Sequence, residues 1–182
     1  MQRGAVVLRP SLAPDAAQRS PEDLARSAAA QKRQKAGDVA EKYVDTLHAI
    51  CEQTGVAIVR RVSSHLRLVG GGRAVATQRS TVDCLGVLRG GRAVAVEIKS
   101  CADGRLKLSQ LPDHQRAELG AIERAGGLAL VLVVQPFPVA AFAVPWSVVA
   151  QAAAAGQASL GPAELATWKC DPRKAYLARW AP

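Results

Sequence analysis

Aromatic residues are scarce in this chain: three Trp, two Tyr and two Phe make up 4% of its 182 residues. No apolar run reaches the roughly 18 uninterrupted residues that a membrane-spanning helix needs. The first residues, MQRGAVVLRPSLAP, lack the apolar core of a secretion signal. These absences argue against an integral membrane or secreted protein. We expect a soluble, cytoplasmic protein with one well-packed domain and a tail.

Cysteine and histidine are too few and too scattered to form a zinc site. The four cysteines make no CxxC pair, and none lies at zinc-type spacing from any of the three histidines. We therefore expect reduced structural thiols, and neither zinc nor a required disulfide.

Basic residues outnumber acidic ones. Lys and Arg total 24 against 15 Asp and Glu, which gives a net charge of +9 and a pI near 10.0. Such a balance is found on solvated basic surfaces and in proteins that bind a polyanion, most often nucleic acid. DNA is thus a candidate partner, but charge alone does not establish this. A site suited to chemistry on DNA is needed to support it.

Composition divides the chain into an N-terminal arm and one domain. Residues 1–35 mix Pro, Ala, Ser and Gln with scattered Arg, which predicts a flexible basic arm. A short helix capped by Ser20 and opened by Pro21 fits within that arm. The arm either follows DNA phosphates or is a solvated tail. Residues 36–182 alternate helical and strand patterns, which predicts a single α/β domain.

The first half of that domain carries a helix, a strand and a basic hairpin. Apolar spacing predicts a helix over 37–53, closed by Gly55, and a strand over 56–62. Residues 63–80 predict a stalk-like hairpin around a triple-glycine turn. Its basic side chains either enter a DNA groove or protect edge strands from aggregation. The candidate DNA-binding residues are Arg60, Arg61, Arg67, Arg73 and Arg79.

The second half predicts helices and buried strands in alternation. Pro112 suits the first turn of a helix that ends at Gly126, and LALVLVV at 128–134 predicts a strand covered on both faces. A short strand and a helix starting at Trp146 follow. AYLARW at 175–180 is expected to be a last strand or a surface segment.

The segment TVDCLGVLRGGRAVAVEIK, residues 81–99, carries the strongest chemical signal. It predicts a β-hairpin with strands over 82–88 and 92–99. Side chains two residues apart share a strand face, so Glu97 and Lys99 point the same way. Asp83 lies on the partner strand. The alternative without a functional role is a solvated ion pair on an edge strand, with a turn aspartate beside it.

These three residue types suit metal-dependent phosphodiester cleavage. Asp83 and Glu97 supply carboxylates for a hard divalent cation, and the Ile98 carbonyl offers a third oxygen. Lys99 would lie beside the phosphate, where it stabilises developing negative charge or orients the water. A metal-dependent nuclease is therefore the leading hypothesis.

Three motifs, in order and at suitable spacing, resemble the PD-(D/E)xK nuclease superfamily and, within it, the RecU-type Holliday-junction resolvases. They are STVDCLGVLRGGRAVAVEIKS, LSQLPDHQ and GGLALVLV. The resemblance spans 37–134 and reappears weakly in FAVPWSVV. It implies a restriction-endonuclease-like core, a central mixed β-sheet flanked by helices. It also implies an endonuclease that uses Mg²⁺, with Mn²⁺ as a substitute, to resolve four-way DNA junctions in recombination and repair. Paired symmetric nicks suggest two symmetric active sites and hence a homodimer.

The resemblance also assigns residue roles. It places Lys99 at the transition state, and it assigns the metal to Thr81, Asp83, Glu97 and Gln115. The superfamily often has a glutamate on its first helix, and Glu41 matches that position. Glu41 would shape a second metal position or hold a metal-bound water, although by itself it is typical of a solvated helix residue.

Two departures bear on the substrate. Val82 stands where the superfamily has a proline, and this is tolerated because that position supplies backbone and no ligand. The hairpin at 63–80 is shorter than the stalk of RecU-type enzymes, which leaves junction selectivity open. One alternative is a related nuclease that cuts duplex or flap DNA. Another is an inactive DNA-binding module, against which the intact Asp83, Glu97 and Lys99 argue.

Overall fold

The computed structural model describes residues 20–62, 66–69, 73–76 and 82–182. Tertiary contacts divide the chain into two units, Met1–Lys35 and Ala36–Pro182. In the first unit the described residues from Pro21 onward are helical. The second unit carries the β-sheet and the remaining helices.

The first helix begins much earlier than residue 37, where the sequence predicts its start. α1 spans Pro21–Gln53. Its first turn is closed by a reciprocal cap in which Ser20 Oγ accepts the Asp23 N–H at 3.2 Å and Asp23 Oδ2 accepts the Ser20 N–H at 3.3 Å. The cap satisfies backbone donors, and the alanine run at 28–30 favours helix. The predicted helix start at Pro21 with Ser20 as its cap is therefore confirmed, whereas residues 21–35 continue as helix where we predicted a flexible arm.

A mixed five-stranded sheet forms the centre of the second unit, with its strands in the order β1, β4, β5, β7 and β8. Only β5 and β7 pair in parallel, and the other neighbours are antiparallel. The strands of this sheet are β1 (Ala57–Arg61), β4 (Cys84–Leu88), β5 (Ala93–Ser100), β7 (Leu128–Pro136) and β8 (Val139–Pro145). This confirms the predicted α/β fold with a central mixed sheet.

Two short antiparallel pairs accompany the main sheet. β2 (Leu66–Val69) pairs with β3 (Arg73–Ala76), which confirms the two strands of the predicted basic hairpin. Its turn and its flanking residues lie outside the described part of the chain. β6 (Leu106–Lys107) pairs with β9 (Ser159–Leu160).

Both faces of β7 are covered, as its apolar sequence predicts. α2 (Asp113–Arg124) and α3 (Trp146–Ala154) pack on one face, in the core that contains Leu119 and Val131. α1 packs on the other face through Val44 and Leu47. α4 (Pro162–Ala166) follows α3.

The segment at 175–180 is not a strand, and it lies only partly at the surface. It forms a turn that leads into a short 3₁₀ helix, Ala178–Trp180, and Leu177 is fully buried in the core on the α1 side. Leu177 and its neighbour Tyr176 anchor the segment because both bury apolar surface, whereas Ala178 and Arg179 are exposed. Within the part of the chain that the structure describes, no helix is both long and apolar enough to cross a membrane.

Candidate active site

The hairpin of β4 and β5 places Asp83 against the end of β5. Its turn contains Gly90 (φ +89°) and Gly91 (φ +87°), a backbone conformation that favours glycine. Asp83 comes directly before β4, and its Oδ2 accepts the Ile98 N–H at 2.8 Å. Because Ile98 lies between Glu97 and Lys99, this bond fixes the Asp83 carboxylate beside both.

Glu97 and Lys99 share one face of β5, as the strand periodicity predicts. Lys99 Nζ lies 2.7 Å from Glu97 Oε1, and the Glu97 side chain is only 1% exposed. Lys99 Nζ also donates to Gln115 Oε1 at 3.0 Å. One ammonium therefore connects the buried carboxylate of the sheet to the start of α2.

The second oxygen of Glu97 is the most unusual atom of this site. Glu97 Oε2 is buried and has no hydrogen-bond partner. Burial raises the pKa of Glu97; Lys99 opposes this shift, and the negative charge of the nearby Asp83 carboxylate adds to it. A buried acceptor without a donor is costly, and two adjacent carboxylates repel each other. A cation between them would relieve both effects.

The start of α2 is fixed to the preceding segment, which positions Gln115. The Gln115 N–H donates to the Pro112 carbonyl at 3.0 Å. The Arg116 guanidinium donates to the backbone carbonyls of Leu111 and Leu108, both at 2.6 Å. No local sequence pattern identifies Arg116 as part of this arrangement, because its partners belong to the turn before the helix. His114, which precedes Gln115 in the LSQLPDHQ motif of the family resemblance, is exposed.

The remaining predicted catalytic and metal residues lie apart from this cluster or outside the described chain. Thr81 lies outside the described residues. Glu41 is exposed on α1, and its carbonyl accepts a hydrogen bond from Arg61 Nη2 at 3.4 Å. Among the described residues, no group of three or more His, Cys, Asp or Glu side chains is placed to hold a metal. Glu41 is therefore not gathered with Asp83 and Glu97, and its site role stays a prediction.

The predicted DNA-binding arginines divide into two groups. Arg60 pairs with Glu52 at 2.6 Å and Arg61 with Asp45 at 3.0 Å, so acids of α1 partly neutralise both. Their four side chains are substantially exposed, and such pairs are weak and easily exchanged. Arg67 lies on β2 and Arg73 on β3. Arg79 lies outside the described residues, so DNA contact by these arginines stays a prediction.

A mixed sheet flanked by helices, with an acid and a lysine on β5 and a second acid directly before β4, is the arrangement of an α/β nuclease. The family model for recombination protein U, RecU, matches residues 35–167. The chain therefore belongs to the RecU family, which indicates a Holliday-junction resolvase of DNA recombination. The match contains every predicted catalytic and metal residue and ends before residue 168. No curated protein matches the chain significantly.

Proposed function

We propose that this protein is an Mg²⁺-dependent endonuclease that resolves four-way DNA junctions by paired symmetric nicks in recombination and repair. The observation that carries the proposal is the buried, unpartnered Glu97 Oε2 beside the Asp83 carboxylate, with Lys99 in contact. Membership of the RecU family supports four-way DNA junctions as the substrate.

The donor set suits a hard divalent cation. Asp83 and Glu97 offer carboxylate oxygens and Ile98 offers its backbone carbonyl, all of them ligands that Mg²⁺ prefers. Thr81 and Gln115 complete the proposed set, Gln115 through a water. Mg²⁺, or Mn²⁺ as a substitute, supplies a water that loses its proton readily and charge that neutralises phosphate oxygens.

Lys99 changes partner in this proposal. In the structure its ammonium neutralises Glu97 Oε1 and is also held by Gln115 Oε1. When Glu97 instead serves a cation, Lys99 keeps Gln115 and turns its remaining donors to the phosphate. It then stabilises the negative charge that develops there. Gln115 acts as a positioning residue for this ammonium.

An exposed apolar face supports the proposed homodimer. Three large side chains on the outer face of β1 and β4 remain accessible: Ile58 at 50%, Leu85 at 43% and Val87 at 40%. Ile58 and Val87 are register partners, so they adjoin on that face. Contiguous exposed apolar surface marks an interaction site, and a two-fold axis would pair this face with its copy.

The substrate is tested with an end-labelled four-way junction, a matched linear duplex and a flap, each with Mg²⁺ and with EDTA. We expect metal-stimulated nicks at symmetric positions in two strands of the junction, and loss of them in Asp83→Asn. Comparable rates on the duplex or flap would favour the related nuclease. Tight junction binding without metal-stimulated cutting would favour the inactive DNA-binding module.

The proposed interface is tested by sedimentation equilibrium of Val87→Glu. A charge in the centre of the apolar face should convert a dimer into a monomer. Phe137→Glu is the matched control, because Phe137 is 52% exposed outside that face. A monomeric wild type, or a Val87→Glu variant that stays dimeric, would overturn this interface.

A further inference from the structure

A cavity of about 210 Å³ lies mostly among residues that follow the RecU match. Ala143 of β8 and Thr167 also line it. Two tryptophans and an arginine line it. The Arg179 guanidinium carbon lies 5.0 Å from the Trp168 ring centre and 5.3 Å from the Trp180 ring centre. Planar groups that can stack thus surround an open cavity, which we call the Trp168–Trp180 pocket.

The pocket is built onto the sheet by backbone hydrogen bonds. The Ala143 N–H donates to the Trp168 carbonyl at 2.9 Å, and the Cys170 N–H donates to the Ala141 carbonyl at 2.8 Å. Phe142 and Lys169 form an antiparallel bridge. Tyr176 is buried beneath the pocket at 6% exposure. These bonds hold the pocket in a fixed position beside β8.

The pocket is positively charged. Lys169, Lys174 and Arg179 line it and are exposed. Asp171 is the single acid in its lining; this carboxylate accepts the Arg173 N–H at 2.9 Å and pairs with Lys174 Nζ at 3.9 Å. Among the described residues, Lys169 and Arg179 form no ion pair with a carboxylate. Stacking rings beside unpaired cations are the features that bind single-stranded nucleic acid.

Sheet register relates the pocket to Lys99. Lys99 pairs with Val133, Val133 with Phe142, and Phe142 with Lys169. Lys99 and Lys169 therefore lie on one line across the sheet, three strand spacings or about 14 Å apart. At 3.4 Å per nucleotide of one duplex strand, this corresponds to about four nucleotides.

We propose that the Trp168–Trp180 pocket binds an unpaired nucleotide of the DNA strand that is cut at Lys99. The base stacks against the tryptophan rings and the Arg179 guanidinium, and the neighbouring phosphates contact Lys169 and Lys174. The identity of the strand rests on the proposed nuclease function, whereas the binding of unpaired DNA does not.

Intrinsic tryptophan fluorescence tests the pocket directly. The full chain is titrated with an eight-residue oligothymidylate in EDTA. Trp146 is only 8% exposed in the core, so quenching by bases reports on the two pocket tryptophans. We expect saturable quenching in the wild type, and about tenfold weaker binding in Arg179→Ala.

The control variant Arg173→Ala has the same net charge as Arg179→Ala, and Arg173 does not line the pocket. Its affinity should stay within about threefold of the wild type. Arg179→Lys keeps the charge but loses the planar group, so it should bind more weakly than Arg173→Ala. Absence of quenching, or equal losses of affinity in the Arg173→Ala and Arg179→Ala variants, would contradict nucleotide binding in the pocket. Junction cleavage without quenching would support the nuclease function and contradict nucleotide binding in the pocket. Quenching without cleavage would support nucleotide binding and contradict the nuclease function.

Discussion

Replacing Glu97 with Gln should make the metal-free protein more stable. The Glu97 side chain is 1% exposed, and its Oε2 has no partner. An unsatisfied buried acceptor costs about 1–3 kcal/mol. In the variant, the amide oxygen still accepts from Lys99, and the amide nitrogen donates toward Asp83. We expect a net gain of about 1–2 kcal/mol in the free energy of unfolding, measured by urea titration in EDTA at pH 8.

The pH dependence of this gain follows from the pKa of Glu97, which burial raises from its ordinary value of 4.5. The folded wild type holds a proton that the unfolded chain releases as pH rises past 4.5. Its stability therefore falls as pH rises from 4.5 through the raised pKa. The advantage of Glu97→Gln should be small at pH 5 and larger at pH 8.

Mg²⁺ should reverse the order of stability. A ligand present at a hundred times its dissociation constant adds about 2.7 kcal/mol to the protein that binds it, which exceeds the advantage expected for the metal-free variant. The wild type should gain this amount, and Glu97→Gln should gain much less. Glu41→Gln is the control for the metal-free measurement in EDTA. Because Glu41 is exposed, the variant's free energy of unfolding should stay within about 0.5 kcal/mol of the wild type. A metal-free Glu97→Gln variant that is less stable than the wild type would refute the reasoning, because Glu97 would then be a structural partner of Lys99.

Two further predictions concern stability away from the site. His48 is buried against the Tyr176 hydroxyl at 3.1 Å, and desolvation lowers its pKa from 6.5 to about 4. The unfolded chain binds a proton first as pH falls below 6.5. The wild type should therefore lose about 2 kcal/mol between pH 7.5 and 5 that His48→Gln does not lose, as compared by urea unfolding. Equal losses would contradict this assignment. Gly86→Ala should cost about 3 kcal/mol, because its Cβ would clash with the Ile58 carbonyl of β1. Gly37→Ala, with open space around it on α1, should instead stabilise by up to about 1 kcal/mol, and thermal unfolding of the two variants separates them. A neutral Gly86→Ala would show that β1 and β4 are less closely packed there.

The chemistry of the site was accessible from the sequence because it depends on strand periodicity. A two-residue repeat places Glu97 and Lys99 on one face wherever the strand lies. The burial of Glu97 depends on how the sheet and its helices pack, which no local pattern contains. Gln115 could be assigned to the site only through the family resemblance, because its contact with Lys99 joins a helix to a strand sixteen positions earlier.

Two other features show why part of the structure was missed. The start of α1 at Pro21, capped by Ser20, was predicted, but the composition of the arm did not predict that this helix continues unbroken to Gln53. The pocket tryptophans, Trp168 and Trp180, are brought together by a bridge to β8 and by the burial of the turn between them. Sequence spacing does not predict that Trp168 and Trp180 lie close together.

The single-turnover rate of junction cleavage by Lys99→Met tests the central claim most directly. With saturating enzyme and Mg²⁺, removal of this ammonium should lower the rate about 100-fold or more, equivalent to about 3 kcal/mol of transition-state stabilisation. Lys107→Met, which removes an exposed lysine of β6, should cut at the wild-type rate. A Lys99→Met variant that cuts as fast as the wild type would contradict the account.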